Sequence, residues 1–327
     1  MTDGGVAKSI RPESERPAAR AKLPPVAWVV LFMIAFFGVT APGFFTVGNF
    51  LNIMLQGSVL LIMGVAATFV ILTEGIDLSL GSVLTLAGVT AVLVLQGGQS
   101  VPVAVLVGIL TGAACGAVTG GLITVGKLPP FIASLGMMGI AAGFALVLTR
   151  QGAIYSDVPA FIFLGEGSLG ILPMPTVVAV LVFAVGWVGL YQTDFGRYII
   201  SIGGNEAGTR LSGVNTAWWK FLTYVAAGAL AALGGVIMAA RLGAADPIVG
   251  NGWEFDAIAA TILGGTSFEK GNGTLGGTVL GVLLISILRN GLNVIGVGAM
   301  WQPALIGLVI IAAIVFDVLL KRKGVIQ

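Results

Sequence analysis

The sequence predicts an all-α integral membrane protein, a bundle of about ten transmembrane helices of which one is short or broken. Hydrophobic residues make up 57% of the 327 positions and charged residues only 9%, against ~25% in soluble domains. The mean hydropathy is +1.04. The apolar residues form segments of about 18–24 residues, the length of helix that crosses ~30 Å of hydrocarbon. A soluble enzyme is disfavoured because it must solvate much of its surface, and a net charge of +2 is too small to indicate a nucleic-acid partner.

The chain divides into a short tail and one membrane domain. Residues 1–23 are rich in Lys, Arg and Pro and predict a disordered cytoplasmic tail, whereas residues 24–327 form the transmembrane domain. The first apolar run is too long for a cleaved signal peptide, so we interpret it as a retained anchor. Nine spans are predicted near residues 26–45, 50–73, 78–97, 101–125, 131–150, 174–191, 218–241, 274–296 and 301–320.

The charges at the two ends of the chain set the number of crossings. Both the tail and residues 321–323 are basic, and basic flanks favour the cytoplasmic side. Two cytoplasmic ends need an even number of crossings, so we predict a tenth, short segment at 255–268. The longest outer loop is then 151–173 and the longest inner loop is 192–220.

The residue counts exclude several kinds of chemistry. Histidine is absent and Cys115 is the single cysteine, so neither an internal disulfide nor a zinc site is expected, and we predict no catalytic residue, metal or cofactor. The stretch GLITVGKL at 121–128 nearly fits the phosphate-binding motif G-x-x-x-x-G-K-[ST]. It fails at Leu128, which replaces the required hydroxyl, so Lys127 is better interpreted as a lysine at the cytoplasmic face.

Glycine recurs every four residues in two of the predicted spans. The glycines concerned are Gly108, Gly112, Gly116 and Gly120 in one span, and Gly273, Gly277 and Gly281 in the other. A spacing of four places them on one helix face, where small residues allow close helix crossing. We expect packing inside the bundle, and a subunit interface or a moving seam remains the alternative.

An acidic stretch interrupts the apolar sequence at TEGIDLSLGS, residues 73–82. Glu74 and Asp77 lie between two spans and are followed by Ser79 and Ser82. Asp77 could cap the next helix by accepting from its free N–H groups. Alternatively, Asp77, Ser79 and Ser82 could line a polar translocation pathway, or the acids could couple transport to protons or sodium.

A second acidic cluster lies at the predicted outer mouth. Asp246, Glu254 and Asp256 occur close to Trp253 in the sequence. Such acids commonly face water, and the alternative is that Asp246, Trp253 and Glu254 dock a soluble partner.

Uncharged polar residues occur near the end of the chain. Asn290, Asn293 and Gln302 are hydrogen-bonding groups at membrane depth. They could line a pathway for an uncharged polyol, or they could form hydrogen bonds between helices. We include Asn290 and Asn293 among the candidate pathway residues.

The inner loop contains signals for a short exposed helix. Asn205 is a good N-cap, Glu206 complements a helix N-terminus, and Gly213 is a good C-terminal stop. A free helix of about two turns is marginal in water and would be better stabilised in a partner's groove. An ordinary surface connector is the alternative.

Four stretches together resemble a known family. They are GIDLSLGS (75–82), FIASLGMMGIAAG (131–143), GRYIISIGGNEAGTRLSGVN (196–215) and DAIAATILGGTSFEKGNGTLGGTVLGVLLISILRNGLNVIGV (256–297). In this order they resemble the permease subunits of ribose/xylose-type ABC importers, and the resemblance covers residues 50 to 320.

The resemblance implies a membrane subunit that works with other chains. Its partners would be a cytoplasmic ABC ATPase, a periplasmic or lipoprotein sugar-binding protein and a second permease copy, within the lipid of a bacterial plasma membrane. The stretch from Gly204 to Gly213 would be the coupling helix on the ATPase. The candidate contact residues are Gly204, Asn205, Glu206, Arg210, Leu211, Ser212 and Gly213.

The function implied is ATP-driven import of a monosaccharide or small polyol, with ATP hydrolysed by the partner. The rivals are a proton- or sodium-coupled secondary transporter, a channel or scaffold subunit, and an importer of another solute such as branched-chain amino acids. Glu74 and Gly208 depart from the family pattern, and Gly208 would weaken the coupling helix by ~1 kcal/mol.

Overall fold

The fold consists of helices with a few very short strands. The computed structural model describes residues 25–268, 271–298, 300–302, 304–309 and 311. The helices are α1 (Pro25–Thr40), α2 (Val47–Ile71), α3 (Leu80–Gln96), α4 (Val101–Thr124), α5 (Pro130–Leu148), α6 (Pro159–Glu166), α7 (Met174–Gln192), α8 (Asp194–Leu211), α9 (Thr216–Leu242), α10 (Trp253–Leu263) and α11 (Leu275–Val294). The strands are β1 (Ile154–Tyr155), β2 (Ser168–Leu169), β3 (Leu172–Pro173) and β4 (Ala244–Ala245). The predicted tail 1–23 and the basic end 321–323 lie outside the described residues.

The predicted spans coincide with helices. Eight of the nine correspond to α1, α2, α3, α4, α5, α7, α9 and α11. Six of these, α2, α4, α5, α7, α9 and α11, are long and apolar enough to cross a membrane, and α1 and α3 are shorter apolar helices. Of the ninth span, 301–320, only the beginning is described, and residues 304–309 are helical there. The prediction of an all-α membrane protein is confirmed.

The tenth predicted segment contains a short helix, as expected. α10 has 11 residues and is therefore ~16 Å long, about half the thickness of the hydrocarbon core. It packs against α2 and α11. Residues 264–268 and 271–274, between α10 and α11, are neither helix nor strand, and α11 begins after the N-cap Thr274. Irregular backbone at membrane depth is tolerated where protein surrounds it.

The loops at one end of the bundle are tied together. β1 pairs antiparallel with β4, with Ile154 opposite Ala245, so the segment after α5 meets the segment after α9. The side-chain amide of Gln96 at the end of α3 donates to the carbonyl oxygen of Tyr155 at 2.9 Å. α6 lies in the same loop region and was not predicted. We call this end of the bundle, with the ends of α3 and α9, the β-ladder end.

The core is built around α2, α3 and α9. Most of α2 and α9 is buried, whereas most residues of α4, α5 and α7 are not buried, and these helices present apolar side chains outward. The exposed apolar faces belong to the helices that flank this core, which is the arrangement expected when lipid is the solvent.

Six of the seven predicted seam glycines lie in helices and pack against neighbouring elements, whereas Gly273 precedes α11 and packs against the Thr266 side chain. A β-carbon on Gly112 or Gly116 would overlap backbone carbonyl oxygens of α9, those of Gly228 and Tyr224. A β-carbon on Gly281 would overlap the carbonyl oxygen of Ala260 in α10. The backbones of these helix pairs approach closely because no side chain separates them.

Candidate functional site

A short helix exists where the sequence predicts the coupling helix, and it is the second half of a longer element. α8 is interrupted at Asn205, whose φ of −165° and ψ of 92° are not helical, so a short helix restarts at Glu206. The side-chain oxygen of Asn205 accepts from the N–H of Gly208 at 2.8 Å, and Gly213 has a φ of +87°. The predicted N-cap and stop are both correct. The prediction missed the helical residues 194–204 that precede the kink.

Glu206 ties this short helix to the start of α9. Its carboxylate accepts from Arg210 at 2.8 Å, from the Thr216 hydroxyl at 3.2 Å and from the Lys220 ammonium at 2.5 Å. Partial burial raises the pKa of Glu206, but the hydrogen bond and charge of Lys220, with the bonds from Thr216 and Arg210, bring it below its ordinary value. The sequence pointed to Glu206 as a residue of the helix N-terminus and missed Lys220 as its partner.

The short helix presents an apolar tip. Leu211 is 90% exposed, and Ser212 and Gly213 beside it are exposed as well. Gly208 would place a β-carbon 3.0 Å from the amide nitrogen of Asn205, so glycine at this position leaves room for the N-cap side chain. A large apolar side chain at the end of a clamped helix is suited to insertion into a pocket of another protein.

The base of the coupling segment contacts two other segments through backbone. A β-carbon on Gly203 would lie 2.6 Å from the Cα of Gly271 and would overlap the carbonyl oxygen of Leu72. Leu72 follows α2, and Gly271 lies between α10 and α11. Gly204, the next residue, has no atom within 4 Å of its β-carbon position. The segment is therefore in direct backbone contact with the residue that follows α2 and with Gly271.

The acidic stretch after α2 forms a buried turn at the start of α3. Asp77 is only 3% exposed, and its Oδ1 accepts from the N–H of Ser79 at 2.9 Å and from the Ser79 hydroxyl at 2.6 Å. This is a local turn that leads into the N-cap Ser79, and Asp77 accepts from no N–H group inside α3, so the capping that the sequence left open is not observed. Ser82 is buried in the first turn of α3. Glu74 is exposed, with a φ of +58°, and is a turn residue.

A tyrosine that the sequence did not indicate lies beside this turn. Tyr224 of α9 is 1% exposed, and its hydroxyl has no hydrogen-bond partner among the described residues. A β-carbon on Gly75 would lie 2.5 Å from that hydroxyl oxygen. Asp77 and Tyr224 thus place two buried polar groups close to the same turn.

Glu254 lies inside the protein. It is 5% exposed, and its Oε2 has no partner within the described chain. A β-carbon on Gly81 would overlap this oxygen, so the carboxylate lies against the beginning of α3. The N–H of Gly250 donates to the Thr85 hydroxyl at 2.9 Å and holds the turn before α10 against α3. The prediction that Glu254 lies on the outer rim, facing water or a docking partner, is wrong because its turn folds back into the bundle.

The depth of Glu254 follows from the contacts of α9. Gly75 meets Tyr224, and a β-carbon on Gly88 would lie 3.0 Å from the carbonyl oxygen of Gly235. Gly81 lies between these two levels, near the middle of the 27-residue α9, which is ~40 Å long. α3 and α10 both begin at this level, so the buried carboxylate lies near the middle of the length of α9.

The other residues of the acidic cluster have separate roles. Asp256 forms an ion pair with Arg289 of α11, and the guanidinium of Arg289 lies 5.8 Å from the ring centroid of Trp253. Asp246 accepts from the N–H of Ile248 at 2.9 Å and shapes a turn after β4. The sequence did not indicate Arg289 as the partner of Asp256.

The candidate asparagines make hydrogen bonds within the bundle and do not meet Asp77. The Asn290 amide donates to the Asn49 side chain at 2.8 Å, and Gln302 donates to the Asn293 side chain at 2.6 Å. Asn49 lies at the beginning of α2, whereas Asp77 follows its end, ~37 Å away along the helix. Asn290 is buried and Asn293 is exposed.

Comparison with known proteins assigns the chain to a family. The sequence model of the family described as "Branched-chain amino acid transport system / permease component" matches residues 49–314. The ribose import permease protein RbsC of Escherichia coli K12 is 42% identical over 292 residues, 88% of this chain and 91% of the relative. RbsC of Bacillus subtilis 168 is 39% identical over 290 residues, 88% and 90% of the two chains.

A third relative is the D-allose transport system permease protein AlsC of Escherichia coli K12. It is 36% identical over 297 residues, 90% of this chain and 91% of AlsC. No solved structure matches. The family match spans most of the chain and the relatives align over nearly their whole length, so the protein belongs to this family of transport-system permeases.

Proposed function

We propose that this chain is the membrane-spanning subunit of an ATP-driven importer for a monosaccharide or small polyol. The observation that carries the proposal is the match to relatives named for ribose and allose transport over about nine-tenths of the chain. The mostly apolar interior of the bundle suits an uncharged cargo better than an ionic one.

The coupling helix is the proposed contact with a separate ATPase, which hydrolyses the ATP. Leu211 enters a groove of the ATPase, flanked by Arg210, Ser212 and Gly213. Glu206 holds the helix on α9 through Lys220, so that a force on the tip moves the whole segment. The contact of Gly203 with Leu72 and Gly271 passes this movement to the two ends that lead to Asp77 and Glu254.

The proposed pathway contains few fixed charges and would bind the cargo weakly. Asp77, Ser79, Ser82 and Tyr224 are buried polar groups around the start of α3, and they would offer hydrogen bonds to a passing polyol. Asn290 and Asn293 are weaker candidates because both already take part in hydrogen bonds elsewhere. Affinity and sugar specificity would reside in the binding protein.

A second permease copy would cover α5. Three glycines of this helix, Gly136, Gly139 and Gly143, are exposed and have no atom within 4 Å of their β-carbon positions. Small residues on an open helix face allow another helix to approach closely. We propose a homodimer in the bacterial plasma membrane with both termini in the cytoplasm. The binding protein would dock at the β-ladder end, where Asp246 remains a candidate, whereas Trp253 begins α10 at the level of Glu254 and is no longer one.

The test of coupling is a substitution at the tip of the helix. Leu211→Asp should abolish co-purification of the ATPase with the tagged permease from native membranes, because a carboxylate cannot enter an apolar groove unpaired. Val125→Asp is the matched control, since Val125 is also exposed, at 83%, and follows α4 in a different loop. Equal loss in both variants, or none in either, would contradict the coupling role of the tip.

One observation favours a secondary transporter as the second candidate. The buried carboxylate of Glu254, near the middle of the length of α9, is the kind of group that proton- or sodium-coupled transporters use. Uptake of labelled ribose in cells that lack the ATPase gene separates the two functions. Uptake that persists there and collapses with an uncoupler would favour the secondary transporter.

A further inference from the structure

A cavity of about 650 Å³ lies at the β-ladder end of the bundle, apart from the coupling helix and the polar turn. This size falls in the range of about 300–1,000 Å³ that is usual for small-molecule sites. Its walls come from α2, from the region of α6 and the β2–β3 hairpin, and from the end of α9. The residues used below are Val47, Leu51, Leu55, Glu166 and Arg241.

The cavity holds two opposite charges that attract each other but form no direct ion pair. Glu166 and Arg241 both line it, yet neither residue takes part in the salt bridges of the described chain. Their relative position is fixed by backbone packing. A β-carbon on Gly165 would overlap the backbone of Arg241 and come within 2.5 Å of the carbonyl carbon of Ala240. A ligand with one cationic and one anionic group would satisfy both charges at once.

The apolar wall of the cavity has the shape of a strip along one helix. Val47, Leu51 and Leu55 are spaced four residues apart, so they lie on one face of α2. α2 is a candidate membrane span, and the strip therefore runs from its end into the hydrocarbon region. Arg241 lies in the last turn of α9, another candidate span, which places the guanidinium at the depth of lipid phosphates.

We propose that this cavity binds a zwitterionic phospholipid with a primary ammonium head group, of the phosphatidylethanolamine type. Arg241 contacts the phosphate, Glu166 contacts the ammonium, and one acyl chain lies along Val47, Leu51 and Leu55. The carboxylate of Glu166 disfavours lipids with a net negative charge. The site is independent of the cargo, so this proposal does not rest on the proposed sugar transport.

The test measures which lipid stays with the full-length protein. The purified permease is incubated in detergent with equal amounts of phosphatidylethanolamine, phosphatidylglycerol and phosphatidylcholine, and retained lipid is counted by native mass spectrometry. The wild type should retain phosphatidylethanolamine preferentially. Arg241→Gln should lower its retention about tenfold, the ratio that corresponds to ~1.4 kcal/mol. Glu166→Gln should shift the preference towards phosphatidylglycerol.

Two further variants keep the test decisive. Arg150→Gln removes an exposed arginine that does not line the cavity, and it should retain lipid like the wild type. Leu51→Trp fills the cavity without touching either charge, and it should lose the lipid while its gel-filtration profile stays unchanged. Equal retention of all three lipids, wild-type retention in Arg241→Gln or Leu51→Trp, or a dimeric wild type that carries no phosphatidylethanolamine would each overturn the proposal.

Discussion

Replacement of Gly203 by alanine should loosen the contact of the short helix after Asn205 with the rest of the bundle. The added β-carbon would lie 2.6 Å from the Cα of Gly271, whereas real β-carbons essentially never come closer than 3.0 Å to another heavy atom. The two segments must therefore separate by at least 0.4 Å (3.0 minus 2.6), and the overlap with the Leu72 carbonyl demands more. Neither neighbour is a flexible side chain, because both are backbone.

The cost of this separation can be bounded. Overpacking of a well-packed contact costs ~1–3 kcal/mol. Alanine recovers up to ~1 kcal/mol because it is a better helix former than glycine. Gly204→Ala gains the same helix propensity and meets no atom within 4 Å, so it is a matched control on the neighbouring residue. The difference in the free energy of unfolding between the two variants should be ~1–3 kcal/mol.

The assay compares two readouts in the assembled transporter. Thermal unfolding in detergent should show a midpoint several degrees lower for Gly203→Ala than for Gly204→Ala. Uptake of labelled sugar in cells should fall in Gly203→Ala while ATPase co-purification stays intact, since the docking tip at Leu211 is unchanged. Indistinguishable midpoints with wild-type uptake in both variants would refute the backbone contact as the transmitting element.

Three other predictions concern the polar network. The partners of Glu206 lower its pKa in the folded state, so the stability that Glu206 contributes is present above the ordinary pKa of 4.5 and is lost as pH falls through the lowered pKa. The difference in thermal midpoint between the wild type and Glu206→Gln should therefore become smaller from pH 7 to pH 4. A difference that stays constant would contradict this. Arg289→Met leaves the Asp256 carboxylate unpaired and should lower the free energy of unfolding by up to ~3 kcal/mol. The double variant Asp256→Asn with Arg289→Met should restore most of this loss, and no restoration would contradict a stabilising role of the ion pair. Tyr224→Phe removes a hydroxyl that has no partner, so the midpoint should stay or rise while sugar uptake falls several-fold; unchanged uptake would exclude this hydroxyl from the pathway.

The membrane helices were predictable because their signal lies in local composition. An apolar run long enough to cross hydrocarbon must be helical there, since no other open structure satisfies its backbone. The coupling helix was predictable for a different reason, because Asn205 and Gly213 are strong signals for its two ends.

Features that depend on tertiary contacts were not predictable from the sequence. Residues 194–204 contain three glycines, which weaken a helix on its own, and their side chains Ile199 and Ile202 are buried in the folded chain. Glu254 follows a turn that folds back against Gly81, whereas the prediction from the sequence placed Glu254 on the outer rim. The pairing of Asp256 with Arg289 was likewise not predictable, because the two residues are 33 positions apart in the sequence.

The ladder between β1 and β4 has a mechanical consequence. Together with the bond from Gln96 to Tyr155, it fastens the far ends of α3 and α9 to one loop, whereas the beginning of α9 holds the short helix through the ion pair of Lys220 with Glu206. A helix that is fixed at one end and pushed at the other tilts about the fixed end. A push on the short helix would therefore displace the beginning of α9 most and the residues beside the ladder least.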